Sequence, residues 1–383
     1  MSRFSTLFVL GLSATLLMVG VGMIVSLLPQ RMHAMTGTLS SVGLVASVFA
    51  LAYLAAQLPV GLLADRLGAK RFLVIGYMLC ALSGIVFLTA RTPNAIYLGR
   101  ALQGLGEAPI WALGPAVLSL AYPASKGRAI GIYNAAIHAG LTLGPLLGLL
   151  IAPAGRGGLP FLVFAILCLS AGMVVLFFLR AKPVQGGPSN TSVRAFLMVL
   201  RQRRPAVLLA GVLLYGAGYG VFVSVLPISL AGTHGFGSTA VSILFVVFYA
   251  TVSVSQIVAG TLSDRIGRRR FLVWGAVLAA VGLGTFSATD GLMAFVPLAI
   301  ASIGLGTFCV ASIAELNDCV SDALKGAISA SYYFFWGVGY VLGPILIGVI
   351  ASEAPAFAYS CLSIAFAVLA LALLLVRDRR AIE

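Results

Sequence analysis

The residue of this 383-residue chain whose chemistry demands an explanation is Glu107. It stands in the middle of a long apolar run, Arg100-Ala-Leu-Gln103-Gly104-Leu-Gly106-Glu107-Ala-Pro-Ile-Trp111. A charge at the centre of a membrane-crossing helix costs about 2.5–3.5 kcal/mol on insertion scales, so such a residue faces a cavity or a partner. Two readings are open. Arg100 lies seven residues earlier, about two turns away on the same face, which allows a static ion pair. Alternatively, Glu107 binds a proton and a substrate in turn. Desolvation favours the neutral acid, and a substrate, above all a cationic one, would displace the proton. His138, with Asn134 and Thr142 close by on the next run, is either a packing residue or a proton relay. Aromatic and amide side chains supply the expected pocket: Tyr53, Gln57, Gln103, Trp111, Asn134, Tyr219, Gln256 and Trp336. Such a lining suits amphiphilic organic molecules better than sugars or inorganic ions.

These residues need apolar helices to hold them. The chain is 61% hydrophobic and 9% charged, whereas a soluble domain carries about 25% charged residues. The apolar runs are continuous rather than alternating, which selects membrane-spanning helices over a barrel. Helix 1 is expected over 5–29, followed by an outer loop with Arg31 and His33. Helix 4 is expected over 95–122, helix 7 over 206–230 and helix 10 over 292–320. The expected fold is an all-α membrane protein of twelve spans in two pseudo-symmetric six-helix bundles. Its domains are 1–180, a cytoplasmic linker 181–204, and 205–383. The net charge of +14 falls in alternate loops, the positive-inside pattern, so both termini are expected in the cytoplasm. That assigns the charge to topology rather than to nucleic acid. The five cysteines are scattered and form no C-x-x-C pair. No catalytic triad, nucleotide loop or zinc motif is present, so no enzyme, metal or cofactor is expected. The expected partners are a small-molecule substrate, protons and the lipid bilayer, and the expected assembly is a monomer.

The chain also repeats itself. Gly61-Leu-Leu-Ala-Asp65-Arg66-Leu-Gly68-Ala-Lys70-Arg71 recurs 199 residues on as Gly260-Thr-Leu-Ser-Asp264-Arg265-Ile-Gly267-Arg268-Arg269-Arg270. The same offset relates Gly140 to Gly339 and Gly144-Pro145 to Gly343-Pro344, while Pro29 and Pro227 stand 198 apart. A duplicated six-helix unit accounts for this. Gly61 allows close helix packing. Gly68 lets the chain reverse with positive φ. Asp65 can pair with the neighbouring cations or cap a helix. Glu315 and Asp318, at the inner end of helix 10, are expected to pair with Arg268 to Arg270 and close an inner gate.

The repeated stretch resembles the loop between helices 2 and 3 of major facilitator superfamily transporters, G-x-x-x-D-R-x-G-R-R. The first copy departs at Ala69 and Lys70. Arg100, Gln103 and Gly104 resemble the R-x-x-Q-G motif of proton-coupled members, which implies a coupling role for Arg100. Gly140, Gly144, Pro145 and Gly148 resemble the antiporter motif of drug exporters, with Leu149 in place of its last glycine. The resemblance implies proton-coupled export of lipophilic or amphiphilic compounds across a bacterial inner membrane. The alternative is a carrier of an anionic metabolite or lipid, with Arg100 as ligand.

Overall fold

The structure, a computed structural model, describes residues 5–122, 126–152, 157–180, 200–289, 291–319 and 325–375. The expected linker residues 181–199 and the basic tail at 377–380 lie outside the described residues. Every regular element described is helical. The α-helices are α1 (Thr6–Val25), α2 (Leu27–Thr36), α3 (Leu39–Leu67), α4 (Ala69–Thr89), α5 (Pro93–Ala121), α6 (Lys126–Ile151) and α7 (Leu159–Phe178). They continue as α8 (Arg203–Val223), α9 (Val225–Thr233), α10 (Ser238–Ile266), α11 (Arg268–Thr285), α12 (Phe295–Asp318), α13 (Lys325–Glu353) and α14 (Pro355–Leu375).

Two expected helices are broken. The helix is interrupted at Ser26 between α1 and α2, where the backbone stays in the helical region, and at Ser224 between α8 and α9, where it leaves it. Proline has no N–H, and its ring crowds the carbonyl four residues back. Four residues before Pro29 and Pro227 stand Val25 and Val223, the last residues of α1 and α8. The helix restarts in each case because proline is tolerated in a first turn. Arg31 and His33 are therefore helical residues of α2 and not part of an outer loop. Arg31 donates to the carbonyl oxygens of Phe87, at 2.6 Å, and of Ala90, which caps the C-terminal end of α4. Its guanidinium carbon lies 5.3 Å from the ring centroid of Phe161 on α7.

Among the described residues, eleven helical stretches are long and apolar enough to cross a membrane. The helix that carries Glu107 is not one of them. At 29 residues α5 is about 43 Å long, but Arg100, Gln103, Glu107 and two internal prolines lower its hydropathy.

By their contacts the helices form two compact units. Unit 1 comprises Met1–Gly187 with Val223–Tyr249, and unit 2 comprises Pro188–Phe222 with Ala250–Glu383. In unit 1, α1 packs on α6 and α7, α4 on α5 and α7, α3 on α5, and α9 against α2 and α3. In unit 2, α11 packs on α12 and α14, and α13 on α14. Small residues set the closest approaches. A Cβ at Gly144 would fall 2.5 Å from the Val19 carbonyl oxygen, and one at Gly140 would fall 2.8 Å from Met18 Cβ, so α6 lies backbone-to-backbone on α1. Gly148 is looser, 3.2 Å from the Met23 oxygen. In unit 2 a Cβ at Gly343 would fall 2.5 Å from Ala217 Cα.

The repeated loop is a single residue in each copy. Gly68 joins α3 to α4 with φ 88° and ψ 132°, and Gly267 joins α10 to α11 with φ 105° and ψ 126°. Nothing lies within 4 Å of a Cβ at either position, so the requirement for glycine is one of backbone conformation alone. Gly68→Ala is expected to cost about 1–3 kcal/mol. Thermal unfolding of the purified variant measures it, and an unchanged Tm would contradict the strain.

Candidate functional site

Helix α5 begins with Thr92 as N-cap, whose hydroxyl accepts from Ala95 N–H, and Pro93 in the first turn. Glu107 is the central residue of its 29. The spacing from Arg100 to Gln103, to Glu107 and to Trp111 is three, four and four residues, which puts all four side chains on one stripe. They form a continuous ladder. Arg100 Nη1 donates to Gln103 Oε1 at 2.9 Å, and Gln103 Nε2 donates to Glu107 Oε1 at 2.8 Å. Trp111 Nε1 donates to Glu107 Oε2 at 3.2 Å. Arg100, Gln103 and Glu107 are buried, with Glu107 3% exposed, and Trp111 is half-buried.

Arg100 and Glu107 do not form the direct ion pair that their spacing allowed; Gln103 stands between them. Arg100 is fixed instead by α3. Its Nε donates to the Val45 carbonyl oxygen at 3.0 Å, and its guanidinium lies 4.7 Å from the ring centroid of Phe49. Gly104 makes this reach possible. A Cβ there would lie 3.0 Å from Tyr53 N and 3.1 Å from Ala52 Cβ, so α3 runs directly over the glycine that follows Gln103. Tyr53 stacks on Phe49 with centroids 6.2 Å apart. Across from the ladder, the Cys80 thiol of α4 lies 3.9 Å from the Gln103 carbonyl oxygen, and Tyr133 of α6 donates to the Ile110 carbonyl at 3.1 Å.

The other candidates spread further. Gln57 on α3 and His138 on α6 are half-buried, and Asn134 is exposed. Thr142 donates to the His138 carbonyl at 2.9 Å, and the bonds of the four ladder residues do not include the His138 ring. Tyr219, Gln256 and Trp336 belong to unit 2 and are half-buried. Tyr219 and Trp336 have centroids 6.3 Å apart and share Tyr340 as a neighbour, at 6.0 and 5.1 Å.

At one end of unit 2 the charged side chains pair. Arg268 pairs with Asp318 and also donates to the Ala314 carbonyl at 2.7 Å. Glu315 pairs with Arg204 rather than with Arg268 to Arg270. Gly61, Asp65, Arg66 and Asp264 lie within α3 and α10, but their side chains fall outside the described set; Arg265 is exposed. The two ion pairs differ in worth. Asp318 is 60% exposed, and such pairs contribute about 0.2–1 kcal/mol. Glu315 is 6% exposed, and removing one partner of a buried pair costs about 3–5 kcal/mol. The 25% exposure of the Arg204 side chain argues for the lower end. Thermal unfolding should therefore rank Glu315→Gln well below Asp318→Asn in stability, and equal losses would refute the ranking.

Sequence reasoning missed Phe49 and the Val45 carbonyl as the seat of Arg100, and Arg204 as the partner of Glu315. Phe49 stands one turn before Tyr53 on α3, which was a readable signal. Arg204 carried none.

Similarity to known proteins places the chain in a family. The model of the Major Facilitator Superfamily matches residues 10–228 and 208–383. Multidrug resistance protein 2 of Bacillus subtilis is 25% identical over 366 residues, covering 90% of this chain and 88% of that protein. The class G tetracycline resistance protein of Vibrio anguillarum is 25% identical over 359 residues, with 90% and 88% covered. Among solved structures, the nucleoside transporter NupG superposes with a TM-score of 0.80 at 15% identity, over 97% of this chain and 98% of that one. A bacterial homologue of the lysosomal transporter Spinster gives 0.76 at 17%, over 96% and 94%. The chain therefore belongs to the Major Facilitator Superfamily and resembles its drug-efflux branch: it is a multi-pass membrane transporter and not an enzyme.

Proposed function

We propose that the protein exports lipophilic or amphiphilic small molecules in exchange for protons, with α5 as the twelfth span and both termini on the cytoplasmic side of a bacterial inner membrane. The observation that carries this reading is the bonding of Glu107. Each carboxylate oxygen accepts one N–H, from Gln103 and from Trp111, one turn to either side. These donors are neutral. They stabilise the carboxylate without locking it in a direct salt bridge, so the charged and the protonated acid are both accessible states. Taking up a proton turns one oxygen from acceptor to donor and releases the N–H that faced it. On Oε2 that partner is the half-buried Trp111 indole. Protonation and the position of an aromatic pocket wall are thereby linked, and a substrate that draws Trp111 or the carboxylate to itself favours one state. Rocking of two bundles about such a site gives alternating access. The names of the relatives, multidrug and tetracycline resistance proteins, support a drug-like cargo. Carriage of an anion on Arg100 draws no support from the site, because Val45, Gln103 and Phe49 already engage that guanidinium.

The test is proton release. Purified protein in weakly buffered detergent is mixed with candidate amphiphiles, and bulk pH is followed. Ligand binding should release protons from the wild type and not from Glu107→Gln. Equal release from both would refute the assignment.

A further inference from the structure

At the basic end of unit 2, α8, α11 and α14 form a shallow, open cleft lined by Arg204, Val207, Leu208, Arg269, Leu272 and Leu373. Four of its six walls are aliphatic and two are arginines. Arg269 spends Nε and Nη2 on the carbonyl oxygens of Leu373 and Leu374, at the last turn of α14. Among the described residues, its Nη1 takes part in neither of those bonds. Arg204 holds Glu315, with its side chain 25% exposed. Two helices also begin here. Helix α8 starts at Arg203, and α11 starts at Arg268 behind Gly267, which supplies no side-chain cap. Helix N-termini present N–H groups and the positive end of the dipole. Among the described residues the cleft thus brings together two arginines, two helix starts, the Glu315 carboxylate and the last carbonyls of α14, above an aliphatic floor, on the face the positive-inside pattern turns to the cytoplasm.

We propose that this cleft binds the phosphate of an acidic phospholipid of the inner leaflet, its glycerol and upper acyl chain lying on Val207, Leu208, Leu272 and Leu373. Basic pockets between spans on the cytoplasmic side suit such headgroups. A free anion would leave the aliphatic walls in water, whereas a lipid covers them. The headgroup also sits beside the Arg204–Glu315 ion pair, because Arg204 serves both the cleft and Glu315.

The experiment uses the full chain in neutral detergent, titrated with phosphatidylglycerol or with phosphatidylcholine and read by native mass spectrometry. Arg269→Gln should weaken phosphatidylglycerol binding about fivefold or more, the worth of one arginine at an anionic surface, and leave phosphatidylcholine binding unchanged. Leu272→Trp fills the cleft without changing charge and should weaken the same lipid; it keeps the test decisive if Arg269→Gln fails to fold. Arg270→Gln removes an exposed neighbouring cation outside the cleft and should change binding less than twofold. Wild-type binding by Arg269→Gln or by Leu272→Trp would overturn the proposal. So would an equal loss in Arg270→Gln, which would mean general surface charge. Thermal protection by inorganic phosphate equal to that by phosphatidylglycerol would also overturn it, since the ligand would then be a soluble anion.

Discussion

Glu107→Gln is expected to abolish transport driven by a pH gradient while the protein remains folded. In proteoliposomes with an imposed gradient, accumulation of a transported amphiphile should fall at least about 100-fold, the range over which a positioned proton-transfer group commonly acts. The ladder explains why the variant survives and why it fails. Gln103 is oriented by Arg100, which donates to its oxygen, so its amide N–H must face residue 107. The new side chain turns its carbonyl to Gln103 and is left with an amide N–H opposite the Trp111 indole N–H. One hydrogen bond is lost, at about 1–3 kcal/mol, a cost a folded bundle can bear. What disappears is the carboxyl group that the proposed exchange loads and unloads with a proton. Continued accumulation of substrate against a gradient by Glu107→Gln would sink the mechanism.

The second large effect is mechanical. Gly144→Val should destabilise the N-terminal helices by about 3 kcal/mol or more, at the upper end of overpacking costs. A Cβ at this position meets the Val19 carbonyl oxygen at 2.5 Å and Gly22 Cα at 2.6 Å. Both are backbone atoms that cannot rotate away, so α6 must move off α1. The loss should be read as a fall in Tm of purified protein. Gly131→Ala on the same helix is the control. Nothing lies within 4 Å of a Cβ there, and alanine should stabilise by about 0.5–1 kcal/mol through backbone entropy. Equal effects of the two changes would mean that the glycine pattern does not set the approach of α1 and α6.

Much of this is legible in the sequence. The three- and four-residue spacing of Arg100, Gln103, Glu107 and Trp111 already placed them on one stripe, and the duplicated glycines announced both the sharp turns and the close packing. Asp318 meets Arg268, as local charge logic suggested. What could not be read depends on packing between distant segments. Glu315 meets Arg204, 111 residues away in the chain, because α8 and α12 lie side by side, not because of any spacing. The breaks at Ser26 and Ser224 were masked for another reason. Hydropathy runs unbroken through them, and only the arithmetic of proline and the carbonyl four residues back locates them. Gln103 between Arg100 and Glu107 was visible as a motif residue, but its role as an insulator between opposite charges required the rotamers.

The chain's threading has a consequence of its own. Val223–Tyr249 lies within unit 1 although the polypeptide on both sides of it builds unit 2. A protease nick in the 181–199 stretch would therefore yield two fragments that stay entwined, since the downstream piece carries α9, lodged on α2 and α3 of the upstream one. The duplicated halves are not detachable beads on a string. The second copy of the ancient repeat has sent a stitch into the first.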